Sequence, residues 1–371
     1  MRKDIINGFI STMEAQGFDA IVAVSPENFA YLSGFVVPSQ PIMRWRHAAY
    51  ILTAKGAQAI LSVDMEESTV ASHVSGIKLR SWGEFTDDPM VELAKLLADM
   101  GLSNAHIGTE LDYLPARDFD RLCVSLPEAK FSGAHDYLAR RRQIKTPGEL
   151  GLMRQLARMA DQAINTALTE VSTGSSEMDI AGALTKTVYK CGADNFKLMI
   201  VATGERSVFP NVGPSERILQ AEDICRVEIF ALKDGYHAGV CRTAYVQKPP
   251  PHAERIWRNL DECKHIILDM IKPGASSREI YEAFIRHLSK LDLPPIKFIG
   301  HGIGLHLHEE PYLGMYSDVE LKAGMTLGIE PLVYNTGYGF GMQNKDIVAV
   351  TEDGVELLSD ITDTEYLIKV K

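Results

Sequence analysis

Cysteine is scarce in this chain and unpaired in spacing. Five thiols, Cys123, Cys191, Cys225, Cys241 and Cys263, are scattered over 371 residues with no CxxC pair. An odd, unpatterned set points to a reducing compartment and argues against a disulfide framework. No apolar run approaches the roughly 18 residues of a membrane-spanning helix. No basic block is present and the net charge is −11, so nucleic acid and acidic membrane surfaces are poor partners. The first residues lack the apolar core of a signal peptide, Asp4 interrupting them early, and a cytoplasmic location is expected. Internal repeats and low-complexity tracts are also lacking.

What is present is an ordinary globular composition, 46% hydrophobic and 23% charged, in a chain long enough for about two domains. Helical periodicity runs through 2–16, followed by a short apolar strand at 20–24. Segments 48–52 and 57–63 read as strands around Lys55-Gly56, 91–101 as a helix ending on glycine, and 106–111 as a strand. This alternation predicts an α/β domain over residues 1–140. Arg140, Arg141 and Arg142 read as a solvated connector.

Thr146-Pro147-Gly148-Glu149 is a capping box with proline at the first helical position. It opens a helix over 150–168 and a second domain over 146–371. Further helices are predicted at 177–192, 254–271 and 277–291, with strand pairs between and after them. The pattern is α+β, with helices over an antiparallel sheet.

Residues 226–246 predict a hairpin about Asp234-Gly235. Pairing across that turn sets Lys233 against Tyr236, Phe230 against Gly239 and Glu228 against Cys241. Glu228, Phe230, Gly239 and Cys241 then share a face. A carboxylate among Val227, Ile229 and Leu232 is costly unless paired. His301, His306 and His308 lie among glycines and leucines in HGIGLHLHEEP, Glu330 in an apolar strand, and Lys345-Asp346 at the start of another. Singly, each has a structural explanation. Together, acids, imidazoles and an amine in one domain suggest a reaction site.

HGIGLHLHEEP, GMTLGIEP and KDIVAVTEDG, with the hairpin and the TPGE helix start, resemble the pita-bread hydrolases: creatinase, prolidase, aminopeptidase P and methionine aminopeptidase. NFAYLSGF (28–35) resembles the smaller domain of creatinase and prolidase. The resemblance implies a C-terminal pita-bread domain behind a smaller creatinase-like α/β domain. It also implies a homodimer acting on a small-molecule substrate.

The metallopeptidases of this family hold two ions with two Asp, a His and two Glu. By position these become Glu228, Gly239, His301, Glu330 and Lys345. The resemblance therefore implies a dismantled metal site, with no cofactor and Lys345 held between Glu228 and Glu330 in place of the ions. Creatinase works without metal, which makes a creatinase- or ectoine-hydrolase-like, metal-independent cleavage of a small amide, amidine or ureido C–N bond the first expectation. Creatinase's own catalytic His falls at Asn211, and its guanidinium-binding carboxylates fall at Cys241 and Asn344, so creatine is a poor substrate.

In that reading His301 and His308 transfer protons, Lys345 polarises the scissile group, and Glu330 orients Lys345 or activates water. Glu228 is either a nucleophile or the charge partner of Lys345. Cys241 is either a thiolate nucleophile or a small buried residue. Asn211, Gly239, Asn344 and Arg46 are candidate substrate contacts, Arg46 through a substrate carboxylate. The bland alternative for Arg44 and Arg46 is a surface pair around a buried Trp45. His237, near the turn, and His306 are expected to face outward. The rival readings are an Xaa-Pro-type peptidase with a reduced metal site and a non-catalytic binding protein.

Overall fold

The computed structural model describes residues 2–291 and 293–371. The chain divides into two compact units, Met1–Arg142 and Gln143–Lys371.

The first unit is built on strands β1 (Ala20–Ala23), β2 (Ala49–Thr53), β3 (Gln58–Val63), β4 (Lys78–Trp82), β5 (His106–Thr109) and β6 (Lys130–Gly133). They form one sheet in the order β4-β3-β2-β1-β5-β6. The β1–β2 and β2–β3 pairs are antiparallel, and β3–β4, β1–β5 and β5–β6 are parallel. Val22, Ile51, Leu61 and Ile107 pack with Leu93 and Leu97 of the helix Pro89–Asp99. Asp88 caps that helix by accepting from the Met90 and Val91 amides.

Of the basic triplet only Arg140 is solvated. The triplet lies in the helix His135–Gln143. Arg142 is buried, and Arg141 donates to the Gly8 carbonyl and Thr12 Oγ1, both at 2.6 Å. Fork donors consume a carbonyl of the first helix, so Arg141 and Arg142 pack while Arg140 stays exposed.

The second unit contains β7 (Asn195–Thr203), β8 (Ile224–Lys233), β9 (Tyr236–Val246), β10 (Phe298–Gly302), β11 (Glu309–Gly314), β12 (Thr326–Ile329), β13 (Leu332–Val333), β14 (Met342–Gln343), β15 (Asp346–Val350), β16 (Val355–Leu357) and β17 (Ile368–Val370). They form a four-stranded sheet β17-β9-β8-β7, a five-stranded sheet β11-β10-β12-β15-β16 and a ribbon β13-β14. The helix Pro147–Glu170 has the complete capping box, Thr146 N to Glu149 Oε2 at 2.8 Å and Glu149 N to Thr146 Oγ1 at 3.3 Å. Tyr236 of β9 donates to the same Glu149 carboxylate. Cys263, Ile267 and Phe284, from the helices Ala253–Met270 and Ser277–Leu288, pack against Ile299, Leu327 and Val348 of the five-stranded sheet. The β8–β9 hairpin has the predicted register, Lys233 opposite Tyr236, Phe230 opposite Gly239 and Glu228 opposite Cys241.

Candidate active site

Both faces of β8 and β9 are buried along most of their length. On one face Arg226, Glu228 and Phe230 alternate, opposite Thr243, Cys241 and Gly239. Beyond Cys241 the chain returns at Lys345. A two-way backbone bridge joins these residues, with both N–H···O distances 3.2 Å. Arg242, pointing to the other face, fixes this bridge. Its Nη1 donates to the Cys241 carbonyl at 3.1 Å and the Lys345 carbonyl at 2.8 Å. Its charge is met by Asp161 at 3.0 Å and Asp346 at 2.8 Å, all three buried. A buried ion network thus positions the backbone from which Lys345 projects.

The Lys345 ammonium stands 2.9 Å from Glu330 Oε1 and 3.1 Å from Glu228 Oε1. It lies 3.4 Å from His301 Nε2 and 4.4 Å from the centre of the Phe230 ring. Burial alone would lower its pKa, but Glu228 and then Glu330 outweigh burial and hold it above the ordinary lysine value. Burial alone would raise Glu330, but Lys345 and then His301 hold it well below the usual carboxylate range. His301 Nδ1 lies 2.8 Å from the Gly302 carbonyl, which can only accept. The ring's Nε2 sits 2.7 Å from Glu330 Oε1. Two carboxylates are thus bridged by one ammonium.

His308 is exposed, its ring stacked on His301 with centroids 3.7 Å apart. Desolvation, with His301 and Lys345 adding to it, pushes its pKa down to about 4. Its loop is anchored by a buried ion pair, Lys145 Nζ to Glu309 Oε2 at 3.1 Å, and Glu309 Oε1 also accepts the His306 amide at 3.2 Å. Beside His308 opens a cavity of about 590 Å³ walled by Phe298, Tyr312, Met315 and Tyr316.

The sequence pattern does not single out Arg226 or Gln343. Arg226 is fully buried and donates to Gln343 Oε1 at 3.2 Å, while Gln343 Nε2 donates to Glu330 Oε2 at 3.2 Å. Arg226 also holds the Ser207, Phe209 and Pro210 carbonyls. The available signal was period two: an arginine two positions before Glu228 in an apolar strand shares its face.

Other candidates lie elsewhere or in different states. Burial, with Glu228 adding to it, raises the Cys241 thiol well above its ordinary value, which disfavours the thiolate a nucleophile needs. Asn344 is fully buried, and its side-chain atoms have no hydrogen-bond partner among the described residues. Asn211 is exposed on the loop after Pro210. Arg46 belongs to the first unit, in a bidentate pair with Glu84 at 2.8 Å for both contacts. Trp45 is 63% exposed, not buried. His237 is buried, against expectation, because β9 turns it towards the Gly304 carbonyl; desolvation lowers its pKa to about 4. His306 is half-buried.

The model of metallopeptidase family M24 matches residues 151–352, and that of the creatinase/prolidase N-terminal domain matches 6–144. The chain belongs to metallopeptidase family M24. It is 27% identical to the Xaa-Pro dipeptidase of Pyrococcus furiosus over 369 residues, covering 98% of this chain and 100% of the relative. A probable dipeptidase of Mycobacterium tuberculosis is 28% identical over 83% of this chain and 82% of its own. The fold matches a prolidase from Thermococcus sibiricus with a TM-score of 0.89, at 23% identity and 100% and 99% coverage. A dipeptidase from Pyrococcus horikoshii gives a TM-score of 0.87, at 25% identity and 99% and 100% coverage. The two-domain pita-bread architecture is therefore established.

These relatives overturn the expected function. A creatinase- or ectoine-hydrolase-like, metal-independent enzyme for amidine or ureido compounds is not what these relatives are named for. The relatives carry dipeptidase names, and the Xaa-Pro peptidase reading replaces the first expectation.

The family's pair of ions does not fit the residues present. Carboxylate oxygens hold such ions at roughly 2.0–2.2 Å, and the oxygens of Glu228 and Glu330 are here turned onto an ammonium at 3.1 and 2.9 Å. Gly239 offers no ligand atom. A Cβ there would come under 3.0 Å from three Phe230 ring carbons, closer than real Cβ contacts. Donor atoms of His301, His308 and Glu330 lie within 4.8 Å of one another, but an ion among them would abut the Lys345 charge.

Proposed function

We propose that this chain hydrolyses the amide bond of short peptides of the Xaa-Pro kind. The observation carrying this reading is full-length similarity to Xaa-Pro dipeptidases combined with Glu228, His301, His308 and Glu330 gathered around one positive charge.

The reaction needs an activated water, stabilisation of the tetrahedral oxyanion and a proton for the departing proline nitrogen. Glu330, which faces His301, receives the proton of an attacking water. Lys345 provides fixed positive charge in a water-poor setting, where electrostatic stabilisation is strongest. His308 is neutral near pH 7 and faces the cavity, so its N–H steadies the developing oxyanion and relays a proton to the leaving nitrogen. Glu228 keeps Lys345 charged and in place. Arg226, through Gln343, aims the Glu330 carboxylate. The cavity beside His308 accommodates the substrate side chain.

The test is proline release from a panel of Xaa-Pro dipeptides, with Xaa-Ala dipeptides as controls. Release by the wild type, lost in His308→Ala and Glu330→Gln, supports the reading. A folded wild type releasing no proline from any Xaa-Pro dipeptide contradicts it.

A second reading is favoured by the His301, His308 and Glu330 grouping: one ion bound there once Lys345 moves aside. Activity abolished by chelation and restored by manganese or zinc would select it. The homodimer belongs to the proposal too, supported by exposed Ile42, Trp45 and Phe85 in the first unit. Cytoplasmic placement is supported by five free cysteines.

A further inference from the structure

We infer that Phe230, Gly239 and Lys345 form one co-adapted unit that has closed the two-ion centre, with a tethered ammonium taking the place of bound cations. Three independent geometric facts meet here. Phe230 and Gly239 are direct cross-strand partners, and any side chain at 239 would collide with the Phe230 ring. The ring and a ligand at 239 are mutually exclusive. The face of that ring is turned to Lys345, 4.4 Å from the ammonium, which contributes cation–π attraction in a desolvated site. The ammonium itself bridges the two remaining carboxylates, and Arg242 clamps the backbone it projects from.

Each member explains another. Without a ligand at 239 the second ion loses a donor, and the vacated volume is filled by the ring. Without ions, Glu228 and Glu330 would be buried like charges, and Lys345 neutralises them. Restoring a single residue therefore does not restore the two-ion centre. Lys345→Glu removes the tethered charge and adds a carboxylate beside His301 and Glu330, which suffices for one ion. The second ion requires Gly239→Asp, and that substitution requires a trimmed Phe230.

The experiment is cobalt(II) binding, read by visible absorption and by metal analysis after desalting. Folding of each protein is checked by circular dichroism. The wild type is expected to retain no stoichiometric cobalt, Lys345→Glu one ion, and Gly239→Asp/Lys345→Glu no more than that. Phe230→Ala/Gly239→Asp/Lys345→Glu is expected to retain two. Stoichiometric cobalt in the wild type overturns the inference. So does equal binding by the double and triple variants. The wild-type measurement decides even where a variant fails to fold. Because the readout is binding, an absence of proline release would refute the proposed function without touching this result.

Discussion

The ammonium of Lys345 lies 2.9 Å from Oε1 of Glu330, and the same oxygen is 2.7 Å from His301 Nε2. An imidazole and a fixed cation thus converge on one carboxylate oxygen. Replacing the cation by a neutral side chain of similar length leaves Glu228 and Glu330 facing each other in a buried site. Lys345→Met is expected to cost about 3–5 kcal/mol and to abolish turnover. Thermal or urea unfolding checks the first part, and an unchanged melting temperature would count against the ion cluster described here.

The sign of the pH dependence follows from the two shifts. Glu330 is lowered in the fold, so its stabilisation is present above the ordinary carboxylate value and is lost as pH falls through the folded value. Lys345 is raised, so its contribution is complete below the ordinary lysine value and is lost only as pH rises beyond it. These two groups should therefore add no slope to wild-type stability from about pH 5 to about pH 10, whereas Lys345→Met, with two buried carboxylates and no cation, should gain stability as pH falls and one of them protonates. A Lys345→Met variant whose stability does not rise on acidification would show that another group balances the two carboxylates.

His237 adds to the loss of stability at the acid side. Its pKa is lowered to about 4 by burial, from 6.5. The unfolded chain binds the proton more readily between these values, so stability rises with pH there. The lost stability at low pH amounts to roughly 3 kcal/mol. His237→Gln is predicted to flatten the melting curve's dependence on pH across this window. Retention of the full acid slope would point to other groups.

Cys241 tests the nucleophile. With its thiol held protonated by burial, Cys241→Ala should cost about 1 kcal/mol in stability and leave turnover within a few-fold of wild type. Loss of turnover together with alkylation of Cys241 in the native protein would restore the thiolate reading.

The Lys145–Glu309 pair, buried at 3.1 Å, holds the loop that presents His308. Lys145→Met removes the lysine charge from the buried Glu309 carboxylate and is expected to lower both stability and turnover. Lys145→Met/Glu309→Leu should recover part of the stability, because replacing both charges removes the buried carboxylate as well. A double-mutant cycle on unfolding free energy gives the coupling, and an absence of coupling would mean the pair does not hold the loop.

Much of this was legible in the sequence where local rules and tertiary structure agree. The hairpin register follows from Asp234-Gly235, the helix start from the Thr146 capping box, and the convergence of Glu228, Glu330, His301 and Lys345 from polar residues in apolar strands. Long-range packing was not legible. Arg142 and His237 are polar residues whose burial depends on partners far along the chain, Asn28 and Gly304. The Arg226–Gln343–Glu330 relay spans three separate strand ends, and no local pattern announces it. The collision between Phe230 and any side chain at 239 depends on ring orientation, which register alone does not supply. Function diverged for another reason: a lysine at a ligand position resembles creatinase's lack of metal, whereas similarity over the whole chain runs to dipeptidases.

The most direct test is a crystal structure of the wild type soaked in zinc, with diffraction recorded on both sides of the zinc absorption edge. The account predicts Lys345 Nζ between Glu228 and Glu330 and no anomalous peak within bonding distance of His301. An anomalous peak bonded to His301 and Glu330, with the lysine turned away, would contradict it.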